Sequence, residues 1–112
     1  MYDISKNRYR ELKYFCLQYK EILDNIKRLR SQGIKEDYDP TANIAVPLAD
    51  YINASRLIEK TAFDTDREFG DVILKSVTED VPLSAITMPC SKDRIDDLRY
   101  KFFYLLSERK GL

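Results

Sequence analysis

The chain contains no histidine, and only two cysteines, three glycines and four prolines among its 112 residues. Each scarcity closes a route. Without His the commonest general base and the commonest metal ligand are both missing. Cys16 and Cys90 lie far apart and lack the short paired spacing of a zinc site, so they are expected to be buried, reduced thiols. The glycines are scattered singly, which excludes a phosphate-cradling loop. Asp64/Asp66 and Asp96/Asp97 come nearest to a carboxylate pair. The first fits a helix start and the second a solvated helix face. No catalytic residue, metal or cofactor is therefore expected, and the chain reads as a non-enzyme. No apolar run approaches the roughly 18 residues that cross a bilayer. Nor does a basic-then-apolar signal region open the chain, so a cytoplasmic protein, in a host bacterial cell, is expected.

What is present is helical in character. Hydrophobic residues make up 44% and charged residues 34%, the balance of a folded chain rather than a disordered one. At this length one compact unit is expected. Formal charge is zero overall but unevenly placed: residues 5–32 carry +5, residues 33–80 carry −6 and residues 81–112 carry +2. A basic opening and an acidic middle imply internal pairing or a surface with two poles.

Apolar spacing predicts the elements. Leu12, Phe15/Cys16, Tyr19, Ile22/Leu23, Ile26 and Leu29 alternate by three and four, giving one helix from Ser5 or Asn7 to just before Gly33. Asp39-Pro40 resembles a helix start, but Pro47 favours a fresh start there. From that point Leu48, Tyr51/Ile52, Ser55, Ile58 and Ala62 continue a second stripe. The two helices would form an antiparallel hairpin. Thr65-Asp66-Arg67-Glu68 matches a capping box, so a third helix is expected from Asp66 to Thr78, with Phe69, Val72/Ile73 and Val77 on its inner side. A short helix follows over Val81–Met88; Pro89 stops it and Ser91 caps the next. In that last helix Ile95, Leu98, Phe102, Leu105 and Leu106 form an apolar stripe. The expected fold is all-α: a long antiparallel helical hairpin (residues 1–63), then a compact three-helix helix-turn-helix group (residues 64–112), in one unit.

A helix-turn-helix makes double-stranded DNA the first partner to test. Contacts would come from Ser91, Lys92, Arg94, Arg99 and Lys101. Along the first helix Lys6, Lys13, Lys20 and Lys27 recur every seven residues, with Arg10 between the first two, as a second phosphate-facing stripe. The same stripe also suits the solvated border of a hairpin.

Pro89-Cys90-Ser91, the apolar Ile95 and Arg99-Tyr100-Lys101-Phe102-Phe103-Tyr104-Leu105-Leu106 resemble the C-terminal end of small phage and prophage regulators of the ArpU/RinA late-transcription type. Tyr9-Arg10-Glu11-Leu12-Lys13-Tyr14-Phe15-Cys16-Leu17-Gln18-Tyr19 and Leu57-Ile58-Glu59-Lys60-Thr61-Ala62 are similar to relatives in the same group. The resemblance implies an α-helical, DNA-binding regulator of transcription. Ile95 and Asp96-Asp97 depart from it, standing where an aromatic and polar or basic residues are expected.

That departure supports a rival. The face opposite the last stripe holds Asp93, Asp96, Asp97, Tyr100 and Tyr104, and three carboxylates approaching phosphate would be repelled. An acidic-aromatic face suits a basic protein instead, as in a protein-binding, DNA-mimicking inhibitor of a host nucleic-acid enzyme in anti-defence. A packaging accessory that oligomerises through the hairpin is a third option. A homodimer is also expected, because the first helix outruns its partner.

Overall fold

Folding of the first helix is directed by Ser5, whose hydroxyl accepts the Arg8 backbone N–H at 3.1 Å and so satisfies a free donor of the opening turn. The computed structural model describes residues 4–33, 46–79 and 92–111, with the backbone alone at positions 46, 47 and 92. Among these residues every regular element is helical: α1 (Lys6–Leu17), α2 (Tyr19–Ser31), α3 (Val46–Thr65), α4 (Gly70–Thr78) and α5 (Lys92–Arg109). The all-α class expected from the sequence is the class observed.

The single opening helix is corrected to two. At Gln18 the backbone N–H bonds back to Phe15 O at 3.2 Å, a three-residue tightening, and the helix resumes with Ile22 N–H on Gln18 O at 2.8 Å. The two halves bury their seams in different places. Leu12 and Cys16 enter the main core, whereas Ile22, Ile26 and Leu29 pack with Leu48 and Ile52 of α3. Gly33 ends α2 at φ +82°, a left-handed conformation that suits glycine, and its N–H closes on Arg30 O.

The described part of α3 begins at Val46, with Pro47 its second residue, a position that suits the first turn expected there, where a missing N–H is harmless. The capping box at Thr65 does not form. Helix α3 runs on through Thr65, whose hydroxyl donates to Thr61 O at 2.7 Å instead of capping forward. Asp66 Oδ1 accepts the Phe69 N–H at 3.0 Å, bracing a turn, and α4 begins only at Gly70. The expected short helix over 81–88, the turn at Pro89 and Ser91, Cys90 and Asp39-Pro40 all lie outside the described residues.

The main core joins α1, α3, α4 and α5 through Leu12, Cys16, Ile58, Ala62, Ile73, Val77, Ile95, Leu98, Phe102, Phe103 and Leu106. It therefore spans the expected boundary at residue 63. Leu105 is only half-buried, while Phe103, off the expected stripe, is enclosed. The cause is that α5 packs against α1 as well as α3 and α4. Phe103 meets Phe102 and Tyr9 edge-on, with ring centroids 5.1 and 4.9 Å apart. Phe15, Tyr19 and Phe69, expected in the core, are half-buried at its margin, and Leu23 turns outward.

Candidate nucleic-acid or protein interface

Helix α5 is held by its apolar side, which fixes what its other side shows. Ile95, Leu98 and Phe102 point inward. Asp93, Arg94, Asp97 and Tyr100 are then exposed, with Tyr100 58% accessible. Asp96 and Tyr104, expected on the same outward face, are half-buried. Packing of α1 against the neighbouring flank, through Tyr9 on Phe103, accounts for Asp96. The acidic-aromatic face thus reduces to Asp93, Asp97 and Tyr100.

A groove of about 680 Å³ runs along this face, lined by Thr65, Asp66, Arg94, Asp97, Leu98, Tyr100 and Lys101. Its two cations differ in setting. Arg94 lies 3.5 Å from Asp66, and the Arg94 side chain is 56% exposed. At this separation the pair holds the guanidinium over the Asp66 end of the groove. Lys101 is half-buried, its stem along the groove. Arg99 is corrected from an outward contact to a half-buried side chain. Its Nε is enclosed without a hydrogen-bond partner, beside Tyr9, Asp96, Tyr100 and Phe103. Lys92 is the first described residue of α5, and Ser91 lies outside the described residues.

The basic stripe survives in part. Lys6, Arg10, Lys20 and Lys27 are exposed, but Lys13 is half-buried and already engaged. The tightening at Gln18 falls between Lys13 and Lys20, so the seven-residue repeat crosses a joint between α1 and α2. Arg8 turns inward: its Nε donates to Ser107 Oγ at 3.2 Å and its Nη1 to Glu11 at 3.0 Å. Asp64 pairs with Arg109 at 2.7 Å, and Arg109 also donates to Thr61 Oγ1. Asp64 and Asp66 thus have side-chain or backbone partners, but neither caps a helix start as expected: Asp64 lies in the last turn of α3, and Asp66 braces the turn that leads to α4.

Sequence reasoning missed a second cluster. Tyr19, Arg56, Glu59, Lys60, Phe63 and Leu74 line a groove of about 540 Å³ where α2, α3 and α4 meet. The Tyr19 hydroxyl donates to Glu59 Oε2. Burial, then this hydrogen bond and the nearby negative charge, raise the Tyr19 phenol above its ordinary range. The available signal was the Arg56, Lys60, Phe63 row, which follows helical spacing on the side of α3 away from Ile58 and Ala62. Among the described residues, no group of His, Cys, Asp and Glu is arranged to hold a metal ion, and no helix is long and apolar enough to cross a membrane. No family model, curated protein or solved structure matches the chain.

Proposed function

We propose that this protein is a DNA-binding regulator of transcription, similar to the phage late-transcription type, with α5 as its reading helix. The observation that carries the reading is the division of α5. One side is buried against three other helices, while its first three turns present Asp93, Arg94, Asp97 and Tyr100 to solvent. A helix anchored from behind and open over its N-terminal turns is the geometry that enters a major groove. Arg94 and Lys101 would neutralise phosphates, Asp97 would accept from a cytosine amino group, and Tyr100 would pack against base edges. Lys6, Arg10, Lys20 and Lys27 would extend the phosphate contact. The test is a binding titration at low salt with duplex DNA from beside the gene, against unrelated duplex. Preference for the native site is expected, and Lys101→Ala should weaken both duplexes and reduce the salt slope by about 1. Equal binding of the two duplexes would end this reading.

A second reading draws on the groove beside Tyr100. Asp66 and Asp97 line it, and Asp66 already holds Arg94, so the site also suits a basic protein surface. On that reading the protein is an inhibitor of a host nucleic-acid enzyme. Retention on heparin favours the regulator, and capture only on a basic protein column favours the inhibitor.

A further inference from the structure

The groove where α2, α3 and α4 meet shares no residue with the α5 groove. Its apolar part comes from three helices: Tyr19 of α2, Phe63 of α3 and Leu74 of α4. The Phe63 ring lies directly over Gly70, where an added Cβ would stand 2.3 Å from its Cδ1. Only a residue without a side chain lets the ring rest there. Phe63 nevertheless remains 40% exposed, and Leu23, one turn beyond Tyr19 on the same flank of α2, is 39% exposed.

The charge around these apolar groups has one dominant sign. Arg56 and Lys60, one turn apart on α3, are exposed and form no ion pair among the described residues. The one carboxylate of the lining, Glu59, keeps its charge but is turned to the Tyr19 hydroxyl, so two cations stand against one anion there. Exposed Lys27 follows Leu23 by one more turn of α2. The lining is therefore net cationic by one charge, over an apolar floor.

We propose that this groove docks an acidic amphipathic helix of a partner protein. Apolar side chains of that helix, spaced by three and four residues, would cover Tyr19, Leu23, Phe63 and Leu74. Its flanking carboxylates would meet Arg56 and Lys60. Phosphate backbone fits this surface less well, because the exposed Leu23 and Phe63 gain nothing from a strand of charged oxygens. The two grooves share no lining residue, so docking here does not depend on DNA binding by α5.

Fluorescence anisotropy on the full chain tests it. The probe is a labelled helix of about 15 residues with leucines at helical spacing and glutamates elsewhere. A lysine-for-glutamate counterpart serves as control. The acidic probe is expected to bind, and the lysine probe to bind about tenfold more weakly or worse. Arg56→Glu with Lys60→Glu, and separately Phe63→Ser, should each lower affinity by about tenfold. Circular dichroism checks that both variants stay helical, and Leu23→Ser supplies a further exposed-site variant should either unfold. Failure of the acidic probe to bind would overturn the proposal, as would equal binding by wild type and variants. So would duplex DNA binding lost in the charge variant and kept in Phe63→Ser, which would mark a phosphate surface. Self-association of the chain abolished by the same substitutions would overturn it in favour of a second copy.

Discussion

At the scale of single residues, burial decides what a group can do chemically, and Cys16 shows it directly. The thiol is fully enclosed among Leu12, Ile58 and other core residues. Burial pushes its pKa from 9.0 up to about 12, with the positive charge of Lys110 opposing the shift. A thiolate is the reactive form, so Cys16 should resist alkylation in the native protein. In a Cys90→Ser background, iodoacetamide at pH 8 is expected to label Cys16 only after denaturant is added; rapid native labelling would contradict the enclosed site. The same shift has a sign for stability. A folded pKa above the unfolded one means that the fold favours the protonated thiol. Its contribution is present below pH 9 and is lost as pH rises from 9 towards 12. Melting temperature should therefore fall more steeply above pH 9 in the Cys90→Ser protein than in the same protein carrying Cys16→Ala. That Cys16 is buried was legible in the sequence, because it sits on the apolar seam of the first helix. That Arg8 turns inward was not: its partner Ser107 lies 99 positions away.

At the scale of elements, Gly70 and Phe63 form a pair whose coupling can be measured. Glycine at the start of α4 loses about 0.5–1 kcal/mol relative to alanine from backbone freedom. In this position a Cβ would collide with the Phe63 ring, a clash of the kind that costs about 1–3 kcal/mol. Gly70→Ala is therefore expected to destabilise the wild type but to become neutral or stabilising in a Phe63→Ala background. A double-mutant cycle by urea unfolding gives the coupling; additive effects would mean that the ring swings away at no cost. Local signals located several element ends well: the Ser5 cap and the left-handed Gly33 both act where their chemistry predicts. The capping box at Thr65 misled because the same hydroxyl can bond back to Thr61 O and extend the preceding helix. The joint at Gln18 left no glycine or proline to announce it. It exists because α1 and α2 bury their seams against different neighbours, which is tertiary information. The candidate site divides similarly. Asp93, Asp97 and Tyr100 face outward as the stripe through Ile95 and Phe102 implied, whereas α1 covers the flank holding Asp96 and Arg99, through Tyr9 on Phe103. No periodicity within α5 could show which helix would pack on that flank.

At the scale of the whole molecule, the two apolar clusters predict two levels of stability. The main core draws on four helices, with Leu12, Ile58, Ile73, Ile95 and Phe102 all at 0% exposure. Among the described residues the second cluster joins α2 and the first part of α3, and Ile22, Ile26, Leu29 and Ile52 there remain 5–8% exposed. Dimensions of 48 × 29 × 22 Å and a radius of gyration of 15.6 Å exceed the roughly 13 Å of an equally long compact domain. An elongated body is what a packed α2–α3 pair reaching beyond the main core produces. Among the described residues this pair has a smaller cluster to hold it, and it should open without global unfolding. Native-state hydrogen exchange is expected to show lower opening free energies for residues 22–31 and 48–54 than for α4 and for α5 around Phe102. Ile26→Ala sharpens the comparison. Removing a buried isoleucine typically costs about 2–5 kcal/mol. Here that loss should accelerate exchange along α2 and the first part of α3 while leaving amides near Phe102 almost unchanged. Equal acceleration throughout would show instead that both clusters unfold as one cooperative unit, and the joint at Gln18 would then transmit stability rather than separate it.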